Sequence, residues 1–310
     1  MAENFEQLRE RWIGWLKGDP VQSIWKQIYG MIWDDATFRS INETRSYTTG
    51  GSSLSQNAMV ARFIDSSYVA GQSIALARLV DRRKDVISLC RLIAEIKEHR
   101  TLITRAAYLN IANLPYYYEP ICDAWFARVL EASKDGVSFS HEPTSGPNAW
   151  SVADRLHRTF DRLSGVSKTQ RKPEDCLALP IVDKLSDWLA DPTIQRILRV
   201  RHKFVAHAAD AASRSAAQHL PGGITLNDVA TAHRIVFRVA AAISGTILYD
   251  DGHSTPVPTP QHDQFEFWDH GFIPTNKLPA LHAFWRSYEE ERVIWTESLI
   301  ADLLGAEIVN

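Results

Sequence analysis

Cysteine is scarce in this chain. Cys90, Cys122 and Cys176 are the only three in 310 residues. They are far apart, odd in number and outside any metal-finger spacing, which argues against a disulfide framework and for a reducing compartment with three small core side chains. Long apolar runs are missing too. The longest weakly polar stretch, residues 239–249, is too short to cross a bilayer, and the charged first residues lack the apolar region of an export signal. A cytoplasmic protein with no membrane attachment is expected. The formal net charge is only −3, so no basic surface is broad enough to hold nucleic acid indiscriminately, and any polyanion site has to be local. The chain has no glycine-rich phosphate loop to support nucleotide hydrolysis, and it has no internal repeat.

What the chain has is helical periodicity, with 45% hydrophobic and 23% charged residues, an ordinary globular composition that can build a sizeable core. Alternating strand patterns are nearly absent, so an all-α fold is expected. The periodicity predicts helices over residues 5–17 and 20–39, anchored by Trp12, Trp15, Ile24, Trp25, Ile28, Ile32 and Trp33. A polar loop over 46–55 leads to a long helix over 56–81. Its more apolar face carries Val60, Phe63, Ile64, Gly71, Ile74 and Ala75, with Arg78 as an inward cation. Asp85 can cap the next helix, whose stripe is Val86, Leu89, Cys90, Ile93 and Ile96 and whose Glu95 and Lys97 read as a solvated face.

Beyond the breaks at Pro115 and Pro120, helices are expected over 121–132, 149–163, 181–189, 192–211, 225–249 and 278–304. The cation-rich stretch 157–172 reads as solvated surface. These elements divide into N-terminal helices and a polar loop (1–55), a helical core (56–250), and a Pro- and His-containing loop with a last helix (251–310).

The most informative segment is 199–210. In helical projection Ile194, Ile197, Leu198, Phe204, Val205 and Ala208 form one apolar stripe, and Arg201 falls in its middle. Arginine is almost never buried without a partner. Two readings stay open: Arg201 pairs with a carboxylate on a neighbouring helix, or its charge is kept for a ligand. Arg196, Lys203 and His207 share a second strip, roughly 120° round the helix from Arg201. An arginine followed by a histidine at such a distance also occurs at Arg196 to His202 and Arg214 to His219, so spacing alone decides nothing. No metal site is expected: His202, His207 and Asp210 do not converge at helical spacing, and His253, His262 and His270 lie in a loop without cysteine partners.

Two segments together resemble the HEPN superfamily, in particular its abortive-infection (AbiU-type) branch. They are the run from Ser73 through Arg78, Asp81, Asp85 and Ser88 to Leu92, and the later run from Arg201 to His207. The resemblance extends over residues 5–249. It implies a multi-helix HEPN-type bundle that pairs into homodimers and acts as a metal-independent endoribonuclease of a phage-defence or toxin type. The family motif is an arginine, a polar residue after it and a histidine four to six residues from the arginine; Arg201, His202 and His207 match it.

The chemistry is coherent with that implication. A base near neutrality, His207, would take the ribose 2′-hydroxyl proton. The fixed fork of Arg201 would stabilise the phosphorane oxygens. His202 would bond the phosphate or protonate the leaving 5′-oxygen, giving a 2′,3′-cyclic phosphate and a 5′-hydroxyl. Arg196, Arg199, Lys203 and Arg78 are candidates for holding further RNA phosphates, and no cofactor is implied. Arg201 and His207 diverge on a single helix, so two copies would complete a site across a twofold axis. The tyrosine that often follows the family histidine is replaced by Ala208, Ala209 and Asp210, which puts control by a nucleotidyltransferase antitoxin in doubt and leaves any regulatory protein unidentified. The alternative is a non-catalytic all-α dimeric interaction or sensor module of a defence system.

Overall fold

The computed structural model describes residues 3–47, 58–135, 141–202 and 224–250, with scattered positions between 256 and 287. The chain divides into two compact units, residues 1–258 and 259–310. In the second, the described positions show a helical turn at Thr275–Lys277 and helical backbone at 279–280, 282–283 and 286–287, inside the expected last helix.

The described part of the first unit forms α1 (Phe5–Ile13), α2 (Ile24–Tyr47), α3 (Ala58–Leu79), α4 (Leu89–His99), α5 (Arg105–Asn110), α6 (Glu119–Ala132), α7 (Trp150–Ser164), α8 (Leu179–Leu189), α9 (Pro192–Val200) and α10 (Leu226–Ala241). Among the described residues the only β feature is an isolated bridge between Thr104 and Cys176, and the all-α expectation holds. No described helix is long and apolar enough to cross a membrane.

Local chemistry sets the helix starts. Asn4 and Gln7 form a reciprocal capping box on α1, and Thr225 and Asp228 form another on α10. Ser88, in place of the expected Asp85, caps α4 by accepting the Arg91 amide at 3.1 Å. Gly165 ends α7 in a left-handed conformation, φ +73°, and its amide bonds the Asp161 carbonyl at 2.8 Å.

One hydrophobic cluster runs from Phe5 to Leu248 and joins α1 and α2 to the later helices. Trp12, Ile24, Trp25 and Ile28 are buried as anchors, while Trp33 is exposed, correcting its expected place. Glu95 is also displaced from its expected solvated face. It accepts Trp12 Nε1 at 3.1 Å and Arg11 at 2.9 Å, tying α1 to α4. Around this core α2 packs on α3 and α10, α4 on α8, α10 on α8 and α9, and α3 on α9.

The buried face of α3 differs from the expected one. Burial falls on Tyr68, Gln72, Ser73, Leu76, Ala77 and Leu79, whereas Phe63 is 70% exposed, Ile74 46% and Met59 60%. Arg78 turns outward with them, so it is not an inward cation. Partners explain the inversion. Gln72 donates to the Met31 carbonyl at 3.0 Å and bonds His233 at 2.8 Å, and Tyr68 donates to Asp35 at 2.5 Å. A polar group with its bonds made can be buried.

The stretch 157–172 is likewise only partly surface. Arg105, on α5, is wholly buried, and its guanidinium reaches Asp161 at 2.9 Å, Asp175 at 3.1 Å, the His157 carbonyl at 3.1 Å and Ser164 at 3.3 Å. Arg171 bonds the other oxygen of Asp161 at 2.7 Å. His157 is buried, with Nε2 on the Tyr116 carbonyl at 3.0 Å. Each charge in this junction of α5, α7 and the segment before α8 has a partner, which lets it lie inside.

Candidate functional site

Helix α9 is started by Asp191, whose side chain accepts the Thr193 amide at 2.7 Å, and by Pro192 in the first helical position. Ile194 and Ile197 are buried, and Leu198 is half-buried against the same core. The first three residues of the apolar stripe read from the sequence thus lie on the face that α9 turns inward, while Phe204, Val205 and Ala208 lie outside the described residues. Arg201 follows the last residue of α9 with helical dihedrals, φ −52° and ψ −50°, and its amide bonds the carbonyls of Ile197 and Leu198.

The cations of this segment have different surroundings. Arg196 pairs with Asp228, the carboxylate that also accepts the Thr225 amide at 2.8 Å in the cap of α10. Burial pushes the Asp228 carboxyl up, but the Thr225 bonds and the Arg196 charge outweigh this and hold it below its ordinary range. Arg196 is thereby engaged in joining α9 to α10. Its Nε is buried without a hydrogen-bond partner. Arg199 is exposed, as is His202.

Arg201 is half-buried, and among the described residues no carboxylate pairs with it. Of the two readings left open by the sequence, the observed geometry has no described carboxylate answering its charge. Lys203, His207 and Asp210, together with the comparison positions Arg214 and His219, lie outside the described residues. The structure therefore brings Arg196, Arg199, Arg201 and His202 onto one short stretch of helix, with Arg78 exposed on the neighbouring α3.

Sequence reasoning missed Asp228, which holds Arg196. The signal was present as the threonine and aspartate of a capping box at residues 225 and 228, but a cap gives no hint that its carboxylate also reaches another helix. Among the described residues no group of three His, Cys, Asp or Glu side chains could hold a metal ion.

Comparison with known proteins yields no matching curated protein and no matching solved structure. A family model described as AbiU2, of HEPN type, matches residues 21–256, from the turn before α2 through α10 and including the whole Arg201 segment. That match spans well over half of the chain, and the helical architecture agrees with it. The chain belongs to the AbiU2 family of HEPN proteins.

Proposed function

We propose that this chain is a metal-independent endoribonuclease of a phage-defence or toxin type. The ribose 2′-oxygen attacks the adjacent phosphorus, the bond from phosphorus to the 5′-oxygen breaks, and the products are a 2′,3′-cyclic phosphate and a 5′-hydroxyl. The supporting observation is Arg201, half-buried beside the inner face of α9 with no described carboxylate on its charge, while its neighbour Arg196 has one. A half-buried guanidinium with no carboxylate among the described residues suits bidentate contact with phosphate oxygens. In this reading Arg201 stabilises the phosphorane, His207 takes the 2′-proton and His202 serves the phosphate or the leaving oxygen. Arg199, Lys203 and Arg78 hold flanking phosphates, and Arg196 positions α9 through Asp228.

The test is incubation of the full chain with total RNA in excess chelator, followed by analysis of the new ends. Cleavage leaving cyclic phosphate and 5′-hydroxyl ends is expected. Intact RNA, or cleavage only on adding a divalent metal, overturns the reading.

The same proposal includes a homodimer. HEPN domains commonly pair, and Met59, Phe63 and Ile74 present apolar surface along α3, the helix packed on α9. A second copy on that face would bring two Arg201 segments near one twofold axis. Phe63→Asp is therefore expected to shift sedimentation from dimer to monomer at micromolar concentration and to remove RNA cleavage, with helicity unchanged. A dimer that persists in this variant argues against α3 as the interface.

A further inference from the structure

Between α2, α3, α9 and α10 lies a cavity of about 270 Å³. Met31, Leu76, Ile197 and Val229 supply apolar wall, and Gln72 and His233 supply polar groups that are themselves 4% and 8% exposed. The Gln72 amide nitrogen donates to the Met31 carbonyl, and its oxygen faces His233 Nε2. That oxygen can only accept, so Nε2 carries the ring proton and Nδ1 is a bare acceptor. Among the described residues nothing bonds Nδ1. Burial pushes the His233 imidazole below its ordinary range, which keeps the ring neutral near pH 7.

We propose that this cavity binds a compact, uncharged, largely apolar molecule that donates one N–H or O–H to His233 Nδ1. Its size suits a bicyclic heteroaromatic, near the lower end of the roughly 300–1,000 Å³ typical of small-molecule pockets. The apolar walls favour an apolar body, and an acceptor nitrogen with no described partner favours a ligand with a donor over one without. Among the described residues the lining includes no arginine or lysine, which disfavours phosphates and other anions. Ile197 lies in the cavity wall one helical turn before Arg201, so occupancy bears directly on the helix that carries that arginine. The proposal stands apart from the ribonuclease reading.

Indole, which has the donor, and 1-methylindole, which lacks it, are the probes, titrated into the full chain by calorimetry beside AMP and inorganic phosphate. Indole is expected to bind and to raise the thermal midpoint, with 1-methylindole about tenfold weaker and neither anion competing. Ala232→Leu fills the cavity from a position that is 1% exposed and is expected to abolish binding. Val69→Phe, on the half-buried cavity wall, gives the same block if the first variant does not fold. His233→Leu is expected to make the two indoles equivalent. The proposal is overturned if indole does not bind, if 1-methylindole binds the parent as tightly, if AMP or phosphate displaces indole, or if a folded cavity-filling variant binds indole like the parent.

Discussion

Arg201→Ala is expected to slow RNA cleavage by on the order of a hundredfold or more, because it removes the fixed charge proposed to answer the phosphorane oxygens. His207→Ala is expected to have an effect of the same order through loss of the base. Arg201→Lys should remain impaired, since an ammonium cannot span two phosphate oxygens as a planar fork does. Arg214→Ala and His219→Ala, which alter another arginine and histidine at similar spacing, should leave turnover nearly intact. Circular dichroism and thermal melts belong beside these assays, because Arg201 is half-buried and a long stem can contribute packing as well as charge. A folded, dimeric Arg201→Ala protein that cleaves like the parent rules out the proposed role.

The largest stability effect is expected at Arg105. Its side chain is wholly buried and lies between the carboxylates of Asp161 and Asp175. Arg105→Met keeps much of the hydrocarbon but strands Asp175 and leaves Asp161 with Arg171 alone, and removing one partner of a buried ionic group costs about 3–5 kcal/mol. Urea unfolding should register that loss, and adding Asp175→Asn should restore part of it by removing one stranded charge. A loss within about 0.5 kcal/mol, the range of ordinary surface changes, would mean that the junction is not structural.

Acidification should weaken the same region. Burial lowers the His157 pKa; its bond to the Tyr116 carbonyl opposes this, and the charges of Arg171 and Arg105 lower it further. Burial raises the Asp161 carboxyl, but Arg171 and Arg105 outweigh it and leave it below its ordinary range. Both groups bind a proton more readily in the unfolded chain. Their stabilisation is therefore complete above the ordinary imidazole value of about 6.5 and declines as pH falls, first through the His157 range and then through that of Asp161. His157→Gln should flatten the upper part of that decline.

Much of the helical arrangement was legible in the sequence because an amphipathic helix repeats its evidence every turn. The stripes of α4 and α9 fall on buried residues such as Ile93 and Ile197, whereas α3 meets α9 through a face other than its expected stripe. Trp33 and Glu95 were misplaced for a different reason. Helix α2 must divide its surface between α3 and α10, which leaves Trp33 outside, and Glu95 is drawn in by Trp12 and Arg11 from a helix far away in the chain.

The candidate site divides along the same line. The residues of the Arg201 motif are contiguous, so their identity and family resemblance can be read from one strand of text, and the AbiU2 match covers them. Whether a given cation is free for phosphate depends on carboxylates brought by other helices. Asp228 reaches Arg196 from α10, and Asp161 and Asp175 enclose an Arg105 that no local pattern marked. By itself the sequence determined the all-α class, most of the described helices apart from α5, and the family, because periodicity, caps and motif spacing are local properties of the chain. Tertiary structure alone decided that Arg196 is paired, that Arg78 and Phe63 face outward and that Gln72 and His233 line a cavity, because burial of a polar group depends on partners that only folding brings within bonding distance.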